Sequence, residues 1–277
     1  MVRLYVLGIK TQPTTQKVKA GTTATFTVSA TGLNKTYQWQ YKTSADGKWL
    51  NCTAEGNKTA TLKVAATTGK SSYYYRCKIS DNGGNTVYTN TVRLYVLGIK
   101  TQPTTQKVKA GTTATFKVSA TGLNKTYQWQ YKTSESGSWQ NCTATGNKTA
   151  TLKVSATTGK SGYYYRCVIK DDGGNTVYTN AVRLYVLGIT TQPTAKTAKA
   201  GTTVKFTVAA TGAGKTYQWQ YRTSSTGTWK NTTATGAKTA TLSVSVTASK
   251  NGYQYRCIVK DNAGNSVTSN AAKLTVK

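Results

Sequence analysis

Tyr37-Gln38-Trp39-Gln40-Tyr41 decides how this chain is read. The same five residues recur letter for letter at 127–131 and 217–221. Aromatic residues alternating with amides have the period of a strand with one buried face. Downstream of each copy stands a Tyr-Arg-Cys: Tyr75-Arg76-Cys77, Tyr165-Arg166-Cys167 and Tyr255-Arg256-Cys257. Each reads as a second strand packed against the tryptophan. The expected core anchors are therefore Trp39, Tyr75 and Cys77, then Trp129, Tyr165 and Cys167, then Trp219, Tyr255 and Cys257.

Working outward, Thr-Gln-Pro begins at residues 11, 101 and 191, a period of 90. Residues 11–99 and 101–189 differ at twelve positions, which points to one activity repeated along the chain. The third copy has drifted further, with Val204, Lys205 and Thr232 replacing Ala, Thr and Cys. A 90-residue unit is too long for a solenoid repeat and has the size of a small sandwich domain. The expected division is 10–98, 99–188 and 189–277, with 1–9 as the tail of a preceding repeat. The string Val-Arg-Leu-Tyr-Val-Leu-Gly-Ile starts at residues 2, 92 and 182, so the chain reads as a fragment of a longer array.

Inside the first unit, residues 23–30 alternate and place Ala24, Phe26 and Val28 on one face. Residues 36–43 form the tryptophan strand, and 48–53 the next strand with Trp49. Residues 59–65 turn Leu62 and Val64 inward, 67–72 connect, and 73–80 carry Tyr-Arg-Cys. Asp81-Asn82-Gly83-Gly84-Asn85 is a hairpin turn, because Gly, Asn and Asp accept positive φ. Residues 86–96 close the unit with a bulge near Asn90. No segment sustains a helical period. The expected fold class is all-β, with three tandem antiparallel sandwiches in a semi-rigid rod and Leu97-Gly98-Ile99 and Leu187-Gly188-Ile189 buried at the junctions.

This pattern resembles the immunoglobulin-like domains found as tandem repeats in bacterial surface proteins and adhesins. Trp39 matches the tryptophan of the third strand in that family, Cys77 the cysteine of the sixth, and Tyr75 the tyrosine-corner position. Phe26 or Val28 stands where antibody domains carry the other cysteine, so the resemblance implies no inter-sheet disulfide of the antibody type. It implies an extracellular location on a bacterial cell surface and work in adhesion.

Composition narrows the function classes. Lys and Arg number 37 against 7 acids, giving a net charge of +30, while charged residues are only 16% of the chain. Such a surface speeds encounters with polyanions. No apolar run approaches a membrane span, and no signal peptide is present. There is no histidine, which removes the commonest general base and metal ligand. The acids are Asp46, Glu55, Asp81, Glu135, Asp171, Asp172 and Asp261, and only the turn position of Asp81, Asp171 and Asp261 recurs in every unit. No paired-carboxylate site, phosphate-cradling loop or Cys-x-x-Cys is available. An enzyme, a cofactor and a metal are not expected. A Lys–Asn isopeptide staple is disfavoured too, because the recurrent acid lies on a turn.

Cysteine leaves two readings open. Cys52–Cys77 and Cys142–Cys167 could be bridges worth about 2–4 kcal/mol. Alternatively, the thiols are small buried core residues, a reading helped by Thr232, which leaves Cys257 without a partner.

The candidate ligand face follows from alternation. With Trp39 inward, Gln38, Gln40 and Lys42 face outward; with Tyr75 and Cys77 inward, Tyr74, Arg76 and Lys78 do. The second unit offers Gln128, Gln130, Lys132, Tyr164 and Arg166, and the third Gln218, Gln220, Arg222, Gln254 and Arg256. Amide, aromatic and basic groups together suit anionic glycans, teichoic acid or host surface molecules. A plain solvated sheet face is the alternative. Trp49, Trp139 and Trp229 are either sugar platforms or edge fillers. Lysines are scattered, so nucleic acid is expected to bind only non-specifically through charge. The leading function is a monomeric adhesin stalk or spacer capable of multivalent adhesion. The alternatives are a glycan- or polyanion-binding module and a host-protein, immunoglobulin-binding array.

Overall fold

A computed structural model describes residues 4–277; residues 1–3 of the leading tail lie outside the described residues. The strands of the first unit are β1 (Gly8–Thr11), β2 (Gln16–Lys19), β3 (Thr23–Thr27), β4 (Ser29–Thr31), β5 (Thr36–Lys42) and β6 (Leu50–Asn51). They continue with β7 (Thr61–Ala65), β8 (Tyr74–Ser80), β9 (Thr86–Tyr88) and β10 (Val92–Thr101). One sheet runs β2-β10-β8-β5-β6, with β9 hydrogen-bonded to β8; facing it, β3 pairs with β7 and β1 with β4. This is the immunoglobulin-like arrangement of two face-to-face sheets. The second and third units repeat it.

The burial of alternate residues explains the pairing. Ala24 and Phe26 in β3 lie opposite Val64 and Leu62 in β7, and all four are buried. In β5 and β8, Trp39 stands opposite Cys77, and the register runs from Thr36↔Ser80 to Lys42↔Tyr74. The Trp39 indole is fully buried and donates Nε1–H to Thr59 O at 3.0 Å. Phe26 stacks on Tyr75 at 4.8 Å and lies 6.1 Å from Trp39. An aromatic stack thus bridges the two sheets, from β3 to β8. Each such ring contributes roughly 1.5–3 kcal/mol by leaving water, and each ring pair adds about 0.5–1.5 kcal/mol.

Two segments differ from the sequence reading. Only Leu50–Asn51 forms a strand where 48–53 was expected. Beyond it, loop backbone satisfies the edge of β5: Cys52 N–H donates to Trp39 O, and Trp39 N–H donates to Asn57 O, both at 2.8 Å. The stretch 86–96 is two strands, broken at residues 89–91. There the Thr89 hydroxyl accepts Cys77 N–H at 2.9 Å, and Gln12 Oε1 accepts Asn90 N–H at 2.9 Å. The connection 67–72 contains a single 3-10 turn, Thr68–Lys70.

The junction is a shared strand. Leu94, Tyr95, Val96 and Leu97 of β10 pair in parallel with β2, and Gly98, Ile99 and Thr101 pair with Thr121, Ala120 and Ser119 of the next unit. Val96 packs in the first core and Leu97 in the second. The strand Val182–Thr191 does the same between the second and third units. A hairpin turn braces each junction: Asn175 Nδ2 donates to Lys17 O and Asn265 Nδ2 to Lys107 O, both at 3.2 Å. At the first junction alone, Lys17 Nζ also meets Asp172 Oδ2 at 3.2 Å. The accessible surface, 14733 Å², exceeds by about a quarter the roughly 11,600 Å² of a compact monomer of this mass. The units are strung end to end.

Candidate functional site

The outer face of the large sheet is built by the residues that alternate with the core. The β5–β8 register sets Lys42 beside Tyr74, Gln40 beside Arg76 and Gln38 beside Lys78. The neighbouring strands add Arg93 opposite Tyr74 and Tyr88 opposite Lys78. Cations and rings interleave across the face. Arg76 lies between Trp49 at 4.2 Å and Tyr88 at 4.4 Å. The Lys42 ammonium sits 5.2 Å from Trp49 and 5.3 Å from Tyr74. Arg93 lies 4.6 Å from Tyr74 and 4.9 Å from Tyr95. The ladder therefore reads Tyr95, Arg93, Tyr74, Lys42, Trp49, Arg76, Tyr88. Each contact of this kind contributes about 0.5–1 kcal/mol at an exposed site.

The second unit repeats the ladder through Arg183, Tyr164, Lys132, Trp139, Arg166 and Tyr178. In the third unit the outer rungs are gone: Gln254, Thr268, Lys273 and Thr275 replace Tyr74, Tyr88, Arg93 and Tyr95. What stays is one indole with two arginines against it, Arg222 at 4.7 Å and Arg256 at 4.2 Å from the Trp229 ring. Gln254 Oε1 accepts two bonds from Arg222, at 2.8 and 2.6 Å. Partial burial pulls the Arg166 and Arg256 guanidiniums below their usual range, and the nearby Arg222 charge adds to this at Arg256.

Of the residues expected on this face, the structure brings Gln40, Lys42, Tyr74 and Arg76 together, with their counterparts in the second unit. Gln38, Gln128 and Gln218 turn back on their own strand instead, each donating Nε2–H to the carbonyl of the following tryptophan at 2.8–2.9 Å. Trp49 belongs to the ladder. Asn51, Tyr88, Arg93 and Tyr95 belong to the face as well and were missed. Arg93 and Tyr95 alternate with buried Val92, Leu94 and Val96 along β10, so the period that found Gln40 could have found them.

All five cysteines are buried free thiols. Burial pushes Cys52, Cys77, Cys142 and Cys167 up to about 12 and Cys257 up to about 11. The recurrent acids hold their turns: Asp81 Oδ1 accepts Gly83 and Asn85 N–H at 3.0 Å. Its hydrogen bond from the Asn85 side chain, ahead of those backbone bonds, holds that carboxyl below its usual range. Among the described residues no cluster of His, Cys, Asp or Glu could hold a metal ion. No helix among the described residues is long and apolar enough to cross a membrane.

No protein-family model matches the chain, and no curated protein does. Solved three-domain structures do resemble it. An I-band fragment of titin is 16% identical with 100% of each chain covered and a TM-score of 0.45. Three N-terminal domains of the bacteriophage RB49 outer capsid protein Hoc are 16% identical, covering 99% of this chain and 100% of that one, with a TM-score of 0.42. Extracellular domains 3–5 of Drosophila OTK are 18% identical over 98% and 97%, with a TM-score of 0.38.

Proposed function

We propose that the chain is a non-enzymatic, extracellular segment of a bacterial surface protein that spaces an adhesive part away from the cell. One observation carries the reading: each inter-unit junction is a single continuous strand, shared by two cores and braced by a hairpin turn. Such a joint resists bending, as a spacer must and a set of loosely tethered binding modules need not. The excess of surface over a compact chain agrees with it.

The test is display of the intact chain on a bacterial surface beneath a small reporter domain. The spacer reading predicts that a large antibody reaches the reporter on the chain and not on a bare anchor. Neutralising Arg76, Arg166 and Arg256 is expected to leave this accessibility unchanged. Equal accessibility with and without the chain would contradict the reading.

A second reading places glycan or polyanion binding on the outer sheet face. The observation that favours it is the ladder, which holds two cations against one indole in every unit.

A further inference from the structure

We infer that each unit carries one oxyanion site, formed by a pinned guanidinium and a second cation at a shared indole, for a sulfate or phosphate ester of a linear carbohydrate or polyol polymer. The sites are Arg76 with Lys42 at Trp49, Arg166 with Lys132 at Trp139, and Arg256 with Arg222 at Trp229. The inference rests on the reading of the outer face as a ligand surface and names the atoms and ligand class.

Three contacts hold Arg76 and Arg166, and two hold Arg256. Trp49 and Tyr88 lie 4.2 and 4.4 Å from the Arg76 guanidinium; in the third unit Thr268 replaces the second ring, and Trp229 at 4.2 Å remains. Arg76 Nε–H donates to Gln40 Oε1 at 3.0 Å. Gln40 is itself locked, because its Nε2–H donates to Asn51 Oδ1 at 3.1 Å. The amide cannot flip without placing an N–H against the guanidinium. The same relay joins Asn141, Gln130 and Arg166 at 3.1 and 2.9 Å, and Asn231, Gln220 and Arg256 at 3.0 and 2.9 Å. A side chain held this way has already lost the rotamer freedom that ligand binding would otherwise remove.

The free end of the fork is what a ligand would meet. Among the described residues, neither Nη atom of Arg76, Arg166 or Arg256 has a protein acceptor. Among the described residues the fully buried side-chain N–H groups without a partner are Arg93 Nε and Arg183 Nε, so these Nη groups are not fully buried. Among the described residues no carboxylate forms an ion pair with them; the pairs that form are Lys17–Asp172 and Lys63–Glu55. A planar two-N–H edge matches two oxygens of a tetrahedral ester. The second cation of each unit supplies the charge to hold it.

Drift in the third unit separates this site from the rest of the face. Tyr74, Tyr88 and Tyr95 have lost their rings there and Arg93 has become Lys273, yet indole, Gln, Asn and Arg persist and Lys42 becomes Arg222. The outer rings go while the indole, its two cations and the amide relay stay together. Three weak sites fixed along one chain would add by avidity on a polymer.

The test is binding of the intact chain to heparin, poly(glycerol phosphate) and hyaluronan at physiological salt, with double-stranded DNA as comparator. Each single Arg76→Gln, Arg166→Gln or Arg256→Gln is expected to weaken binding about 3- to 10-fold, and the triple variant by about 100-fold or more. The triple Arg→Lys variant keeps the charge, loses the fork and is expected to lose about tenfold or more. Exposed Lys58, Lys148 and Lys238 changed together to Gln remove the same charge and are expected to cost less than about threefold. Heparin binding alone assigns sulfate, and poly(glycerol phosphate) binding alone assigns phosphate. Equal losses in the lysine and arginine triples would overturn the site, as would hyaluronan binding equal to heparin or equal arginine dependence on DNA. Loss with Arg93→Gln and Arg183→Gln but not with the arginine triple would retain the face and overturn this site. No binding to either ester polymer overturns the site and leaves the spacer reading standing.

Discussion

Cys52 and Cys77 lie on opposite flanks of Trp39. Cys77 faces it from β8, and Cys52 donates its N–H to the Trp39 carbonyl from the other side. Two strand spacings separate their backbones by about 9.5 Å, beyond the roughly 7 Å a disulfide can span. The bridge left open by the sequence is therefore closed by register, which a residue count does not carry. Burial has a measurable consequence. The folded thiol pKa values, about 11 to 12, lie above an unfolded value of about 8.5. Their stabilising contribution is fully present below pH of about 8.5 and is lost as pH climbs toward 11 to 12. Over that window the unfolded chain releases thiol protons first, and stability falls by about 1.4 kcal/mol per pH unit for each thiol. Urea unfolding at pH 7.5, 8.5 and 9 is expected to show a steepening decline that is shallower in Cys257→Ala. Non-reducing denaturation is expected to release all five thiols. A pH-independent midpoint, or fewer thiols, would count against the account. At this scale Trp39 was legible because it alternates within a strand. Trp49 was ambiguous because it lies outside any strand, where no period says which way an indole turns.

Among the elements, β10 is the one that serves two domains. Its sequence, Val92-Arg93-Leu94-Tyr95-Val96-Leu97-Gly98-Ile99, alternates normally as far as Val96 and then buries Leu97 and Gly98 next to it. That break in period marks where the strand leaves one sandwich for the next. Gly98 is required there: a Cβ would lie 2.5 Å from Thr68 Cγ2 and 2.8 Å from Ala20 Cβ. Gly98→Ala is therefore expected to cost about 1–3 kcal/mol in urea unfolding through overpacking. The equivalent Gly8→Ala, whose nearest neighbour would be Thr31 Oγ1 at 3.3 Å, is expected to cost less than half of that. Equal costs would show that the junction is not packed as described. The apolar junction and the hairpin turns were legible as sequence. The docking of the Asn175 turn onto Lys17 was not, since the two residues are 158 apart and nothing in either segment's period points to the other.

At the scale of the whole molecule, stiffness and charge act together. Repetition at a period of 90 was plain in the sequence, and it forced three like domains. The relative placement of those domains came from the shared strands, which no single unit's pattern contains. A net charge of +30 spread over three units repels along the chain at low salt and reinforces extension; screening at 0.15 M shortens its reach to about 8 Å. The extended form is expected to survive that screening, because packed strands and not repulsion hold the joints. Small-angle X-ray scattering of the intact chain at low and physiological salt tests this most directly. With units roughly 30–40 Å long, the account predicts a radius of gyration of about 30 Å at both salts. A value near 19 Å, that of a compact globule of 277 residues, would contradict it.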